Sequence, residues 1–238
     1  MHTFLPRLLT RALPALALAC ITVAATAAPL SAFTARYQVE RDGAAIGEAT
    51  VSLRADGGGR WVYRTETKGT DGLAALLGLS ALEVSTLRWG ADGRPQSLDY
   101  RYDQQGGFKQ RSRTAHFDWQ AGRIAVQEGK GRWDYATAPG AVDRHAATLA
   151  IAAALRAGAQ QVAGPVAVKD RIEVQHFAVA GAESVQVPAG QFTAQRVERR
   201  DDGKTMHSWY VPKRFPVPVE IAGGDGGITM KLVSYAAQ

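Results

Sequence analysis

Residues 183–198 read Glu-Ser-Val-Gln-Val-Pro-Ala-Gly-Gln-Phe-Thr-Ala-Gln-Arg-Val-Glu. Two alternating runs flank Val187-Pro188-Ala189-Gly190, and Pro188 with Gly190 supplies the punctuation of a tight connection, so the stretch predicts a β-hairpin. Most of the chain repeats this grammar. Phe33, Ala35, Tyr37 and Val39 alternate with polar neighbours, as do Ala49, Val51 and Leu53, giving strands with one apolar and one wet face. Further strands are expected at 60–68, 81–89, 96–103, 108–120, 123–128 and 130–137, and again from 166 to 235. Between Leu82/Val84 and Leu87/Trp89 the apolar register changes phase, which predicts a β-bulge.

Two segments break the rhythm. Gly72 to Leu79 is crowded with leucine and too short for a stable isolated helix. Arg144 to Ala157 is rich in Ala and Leu, can be capped by Asp143 and ends at Gly158, which predicts a helix with a narrow seam of Thr148, Ile151, Ala152 and Leu155. The tract Pro212-Lys213-Arg214-Phe215-Pro216-Val217-Pro218 has three prolines in seven residues and is expected at an edge or crossover.

Roughly eleven or more strands with one real helix exceed what a small barrel needs. The expected fold is mainly β: one strongly curved antiparallel sheet, a half-barrel or open barrel, wrapped round the helix and the short apolar helical segment.

The first residues read as an address. Met1 to Ala28 has Arg7 and Arg11, an apolar run from Ala12 to Ala25, and small residues at Ala25, Ala27 and Ala28. This is the pattern of a cleaved signal peptide, with a single domain from residue 29 to 238 and a periplasmic location. Cys20, the only cysteine, lies inside the apolar run; the residues before it favour ordinary cleavage over lipid attachment. Loss of Arg7 and Arg11 lowers the formal net charge from +6 to +4, too modest an excess to suggest a nucleic acid partner.

No nucleophile elbow, phosphate-binding glycine loop or metal-binding helix motif is present. His116, His145, His176 and His207 each stand alone in their segments. No catalytic residue, cofactor or metal site is therefore expected, and the protein reads as non-enzymatic.

Aromatic and basic residues on strands stand out instead. Tyr63, Trp89, Tyr100, Tyr102, Trp119 and Trp133 are candidates to line a ligand cavity that Leu73, Leu76 and Leu77 would close. Lys109, Arg111 and Arg113 alternate on one strand with Arg101 across a turn, a candidate anionic-surface patch open to peripheral membrane contact.

The chain resembles DUF3108, an exported bacterial family of unknown function. The resemblance rests on residues 32–49, Gly72 to Gly78, Ser97 to Tyr102, Phe117-Asp118-Trp119, Asp143-Arg144, 183–198 and Trp209 to Ile221. It implies architecture and address, with a distant fold likeness to periplasmic lipoprotein carriers. His145, Ala146 and Ala147 depart from the hydroxyl or bulkier residue common after the Asp-Arg pair. Two functional expectations follow. The first is a carrier or sensor holding a lipid or lipoprotein acyl chain inside the curved sheet. The second is a structural or assembly factor of the cell envelope meeting an envelope protein through its surface, at the proline tract and the basic strand.

Overall fold

The computed structural model describes residues 30–107, 109–201, 206–223 and 227–238, with the backbone alone at position 109. The expected signal peptide lies outside the described residues.

The chain begins as a meander. β1 (Phe33–Arg41), β2 (Ala44–Ala55) and β3 (Arg60–Gly69) lead to the short helix α1 (Gly72–Leu76). β4 (Ser80–Trp89), β5 (Pro95–Gly106), β6 (Lys109–Asp118), β7 (Arg123–Glu128) and β8 (Gly131–Ala136) then pair each with the next. The two-residue strand β9 (Val142–Asp143) precedes helix α2 (Ala147–Arg156). The remaining strands are β10 (Gln161–Ala167), β11 (Ile172–Val187), β12 (Gly190–Arg199), β13 (Met206–Tyr210), β14 (Pro218–Gly223) and β15 (Ile228–Ala237).

All 15 strands join one sheet in the order β8-β7-β6-β5-β4-β3-β2-β1-β15-β14-β13-β12-β11-β10-β9. The final strand returns to pair antiparallel with the first, from Phe33↔Ala237 to Arg41↔Ile228. Every neighbour pair is antiparallel except β9 with β10.

The half-barrel or open barrel expected from the strand count is corrected here. Among the described residues the sheet is open, neither closed nor strongly curled, and its end strands β8 and β9 are not hydrogen-bonded to each other. Closure would require β8 to pair with β9, which follows it in the chain after a short link, but β9 is only two residues long and its pairing is with β10; alternation within each strand does not encode which strands pair. The expected filling is corrected too, since α1 stands at the end of the β3–β4 hairpin with Leu73 and Leu76 in solvent.

Local expectations fare better. The 183–198 hairpin is present, with Val185↔Phe192 and Val187↔Gly190 opposed. The phase change in β4 is a register shift between Thr86 and Leu87 against β5. α2 is buried almost all round, through Ala147, Leu149, Ile151, Ala152, Ala153 and Leu155, rather than along a narrow seam. It contributes to one apolar core with Phe33, Leu53, Tyr63, Leu87, Phe177, Phe192 and Val219.

The proline tract joins β13 to β14, two strands inside the sheet order, so it forms no edge. Phe215, Pro216, Val217 and Pro218 are buried, and Phe215 packs edge-on against Phe192 and Tyr235 at 5.6 and 5.2 Å between ring centroids. A side chain from a strand distant in the sequence serves the tract's backbone: the Tyr37 hydroxyl of β1 donates to the Pro218 carbonyl at 2.7 Å.

Candidate functional site

A polar node lies where β9 meets β4 and β5. Asp143 is the last residue of β9, and its carboxylate is 1 % exposed. Four donors reach it: Ser85 Oγ at 2.8 Å and the His145 and Ala146 amides at 2.9 Å on Oδ1, with Ser97 Oγ at 2.6 Å on Oδ2. Burial raises the Asp143 pKa, against the lowering effect of His145, Ser97, the Ala146 amide and Ser85. The expected capping role is present in altered form, because Asp143 holds the turn before α2 rather than serving as its N-cap residue.

His145 completes the node. Its Nδ1 lies 3.0 Å from Ser85 Oγ, its Nε2 lies 2.8 Å from Thr65 Oγ1, and its ring stacks on Tyr63 at 4.1 Å. The single Ser85 hydroxyl hydrogen is committed to the carboxylate, so Nδ1 must carry the imidazole proton and Nε2 accepts from Thr65. Burial lowers the His145 pKa, and Arg144 adds to this against the attraction of Glu83 and Asp143.

A Ser-His-Asp trio invites comparison with a hydrolytic triad, but its polarity is reversed. With the Ser85 hydrogen directed at Asp143, the imidazole faces the serine as a donor rather than as the acceptor of its proton, and Ser85 is fully buried. The arrangement fastens β9 to β4 and β5. Sequence reading passed over His145 because Thr65 and Ser85 lie 80 and 60 residues away.

The rings expected to line a cavity are each engaged by a different neighbour instead. Tyr63 and Tyr100 are buried, and Tyr100 donates to Glu83 Oε1 at 2.6 Å. Tyr102 lies under the Arg144 guanidinium at 5.6 Å, and Arg144 pairs with Glu83 at 3.2 Å. Trp119 stacks on Phe117 and donates to the Ser97 carbonyl at 2.8 Å. Trp133 lies under Lys169 Nζ at 4.7 Å. Trp89 packs edge-on against Trp61 at 6.3 Å, and its buried indole N–H has no acceptor among the described residues. A cleft of about 170 Å³ between α2 and β10 is lined by none of the nine candidate ligand residues, and an open depression of about 490 Å³ beside β6, β7 and β8 is lined by Trp133 alone among them. The candidates therefore do not share one hollow. The open sheet and this dispersal overturn the carrier or sensor expectation.

The candidate basic patch is divided by the β5–β6 register. Arg101 faces Thr114, whereas Tyr102 faces Arg113 and Gln104 faces Arg111. Directly opposed residues share a face, so Arg101 lies on the other side of the sheet from Arg111 and Arg113. Lys109 occupies the same register face as these two, opposite Gly106. Glu128 takes both Arg111, at 2.7 Å, and Arg113, at 2.6 Å, while Arg101 pairs with Asp103. Glu128 is held below the usual carboxylate range by these two guanidinium groups, against the effect of burial.

The remaining candidates, Leu73, Leu76 and Leu77, are 67 %, 82 % and 42 % exposed. Their support is rigid. Ala74 is buried, the Thr70 amide donates to the Ile46 carbonyl at 3.0 Å, and the Gly107 amide donates to the Leu77 carbonyl at 2.8 Å. Gly69 lets the helix approach closely, since a Cβ there would lie 2.7 Å from the Ala74 backbone. The apolar tip is thus fastened to the sheet from two sides.

The whole arrangement falls within residues 33–233, which match the family model described as a protein of unknown function, DUF3108. The chain belongs to the DUF3108 family. No curated protein matches it. Among solved structures, this DUF3108 chain is similar to the crystal structure of a β-barrel-like protein of DUF1849 from Brucella abortus. The two are 13% identical with a TM-score of 0.53, covering 89% of this chain and 100% of the other. That likeness concerns the fold alone, and it does not extend to the lipoprotein carriers named as a distant expectation.

Proposed function

We propose that this DUF3108 protein is an exported, non-enzymatic structural or assembly factor of the cell envelope, acting through a protein–protein surface centred on α1. The observation that carries the reading is the fastened, exposed group Leu73, Leu76 and Leu77. Covering three leucines from these exposures contributes on the order of 3–5 kcal/mol to association. Solvent offers nothing in exchange for leaving them bare. A protein partner is favoured over an anionic bilayer because Asp71, the residue next to the helix, is exposed and negatively charged.

Export is supported by the pattern of residues 1–28, and the absence of catalysis by the reversed polarity of the Ser85–His145 contact. Chemical crosslinking of intact envelopes tests the reading. The native protein should give a discrete protein adduct that Leu73→Ser/Leu76→Ser/Leu77→Ser removes; an adduct of equal yield from the triple variant would refute it.

A further inference from the structure

The two ends of the sheet are built differently. At one end β9 has two residues, and β10 behind it carries Pro165, so neither presents a long regular row of free backbone groups. At the other end β8 runs for six residues without proline and pairs with β7 without a register shift. Among the described residues, β8 has no second neighbour.

Which groups of β8 face outward follows from its turn. Gly129 and Lys130 form a two-residue connection closed by Glu128↔Gly131, so Gly131, Trp133 and Tyr135 direct their N–H and C=O groups toward β7. Thr137 continues this parity, donating to the Gly122 carbonyl at 2.9 Å. Arg132, Asp134 and Ala136 therefore direct theirs outward.

We propose that β8 is a dimerisation edge, at which a second copy of this chain adds its own β8 antiparallel about a two-fold axis at Trp133. The charges select this register. An axis at Arg132 would oppose two guanidinium groups, and an axis at Asp134 would oppose two carboxylates. An axis at Trp133 sets Arg132 against the partner's Asp134, and symmetry repeats the pair. Both side chains are exposed, and among the described residues Arg132 makes no ion pair, while Asp134 is held by Arg123.

The opposite face is suited to the same register. Trp133 lies over Gly131, where a Cβ would fall 2.2 Å from the indole, and Lys169 covers the ring. The axis brings the two Trp133 residues together at a non-hydrogen-bonded position, where opposed side chains stand closest. This surface is separate from the α1 tip and goes beyond the function proposed above; a monomeric protein would leave that reading untouched.

Sedimentation equilibrium across a micromolar to millimolar range tests the dimer. The native chain should show a monomer–dimer equilibrium, and Arg132→Asp or Asp134→Arg should weaken it by roughly tenfold or more. Combining the two reverses both charges and should return the affinity to near the native value. A covalent trap needs no rescued affinity: Trp133→Cys in a Cys20→Ala background, which removes the chain's only cysteine, should oxidise to a linked dimer faster than Arg132→Cys. A native chain that stays monomeric throughout, single charge reversals without effect, a folded double variant that fails to recover, or faster linkage from Arg132→Cys would each overturn the proposal.

Discussion

Ser97 and Asp143 bind each other twice: the serine hydroxyl donates to Asp143 Oδ2 at 2.6 Å, and the Asp143 amide donates to the same Oγ at 2.8 Å. This reciprocal clasp joins β5 to β9, strands that share no ladder. Ser97→Ala removes both bonds and leaves a buried carboxylate short of a donor, so a loss of about 2–3 kcal/mol is expected in urea unfolding. Ser85→Ala strips the same carboxylate, and the two substitutions together should depart from additivity by at least 0.5 kcal/mol.

His145 should make stability dependent on pH in a defined direction. Burial lowers its folded pKa, so below the unfolded value of about 6.5 the unfolded chain binds the extra proton and the folded state does not. Stability should fall as pH drops from 6.5 toward the lowered folded value, and this contribution levels off below it. Asp143, whose folded pKa is raised, works oppositely: from about 3.8 up to its folded value, its contribution falls as pH rises. His145→Gln should remove the histidine part of the slope in thermal melts recorded against pH. An unchanged slope would show that another group carries it.

These two predictions concern a node that sequence reading could not assemble. The hold of Asp143 on the turn before α2 is legible in part as a capping residue because its amide partners are close in sequence, yet Thr65, Ser85 and Ser97 come from three other strands. The hairpin at 183–198 was legible because its turn and both alternations lie within one short window. β11 was not read whole: it runs 16 residues through a register shift between Val179 and Gly181, which looks like a break in periodicity. Proximity to one turn groups Arg101 with Arg111 and Arg113 in the sequence, but the faces of β5 and β6 depend on a register that sequence spacing alone leaves open. An apolar segment such as Gly72 to Leu79 reads as core-facing until its own backbone contacts place it outside.

Gly69 should behave as a close-packing position. Gly69→Ala places a methyl group 2.7 Å from the Ala74 backbone, so α1 must move away. A stability loss of roughly 1–3 kcal/mol is expected. Hydrogen exchange should quicken at the Leu77, Gly78 and Leu79 amides, whose bonds hold the tip.

The leucines of the tip and of the core should respond in opposite ways to truncation. Leu87 is fully buried, and Leu87→Ala should cost about 2–5 kcal/mol. Leu76 is largely in solvent, so Leu76→Ser should change unfolding stability by less than about 0.5 kcal/mol. A large loss from Leu76→Ser would mean that the tip belongs to the core of this protein rather than to a contact with another.

The most direct measurement places a photo-crosslinking amino acid at position 76 and, as a comparison, at buried position 100, in cells making the protein at its native level. A discrete protein adduct from position 76 and none from position 100 is the predicted result. Lipid adducts from position 100, or no protein adduct from position 76, would contradict a function exercised through the α1 surface.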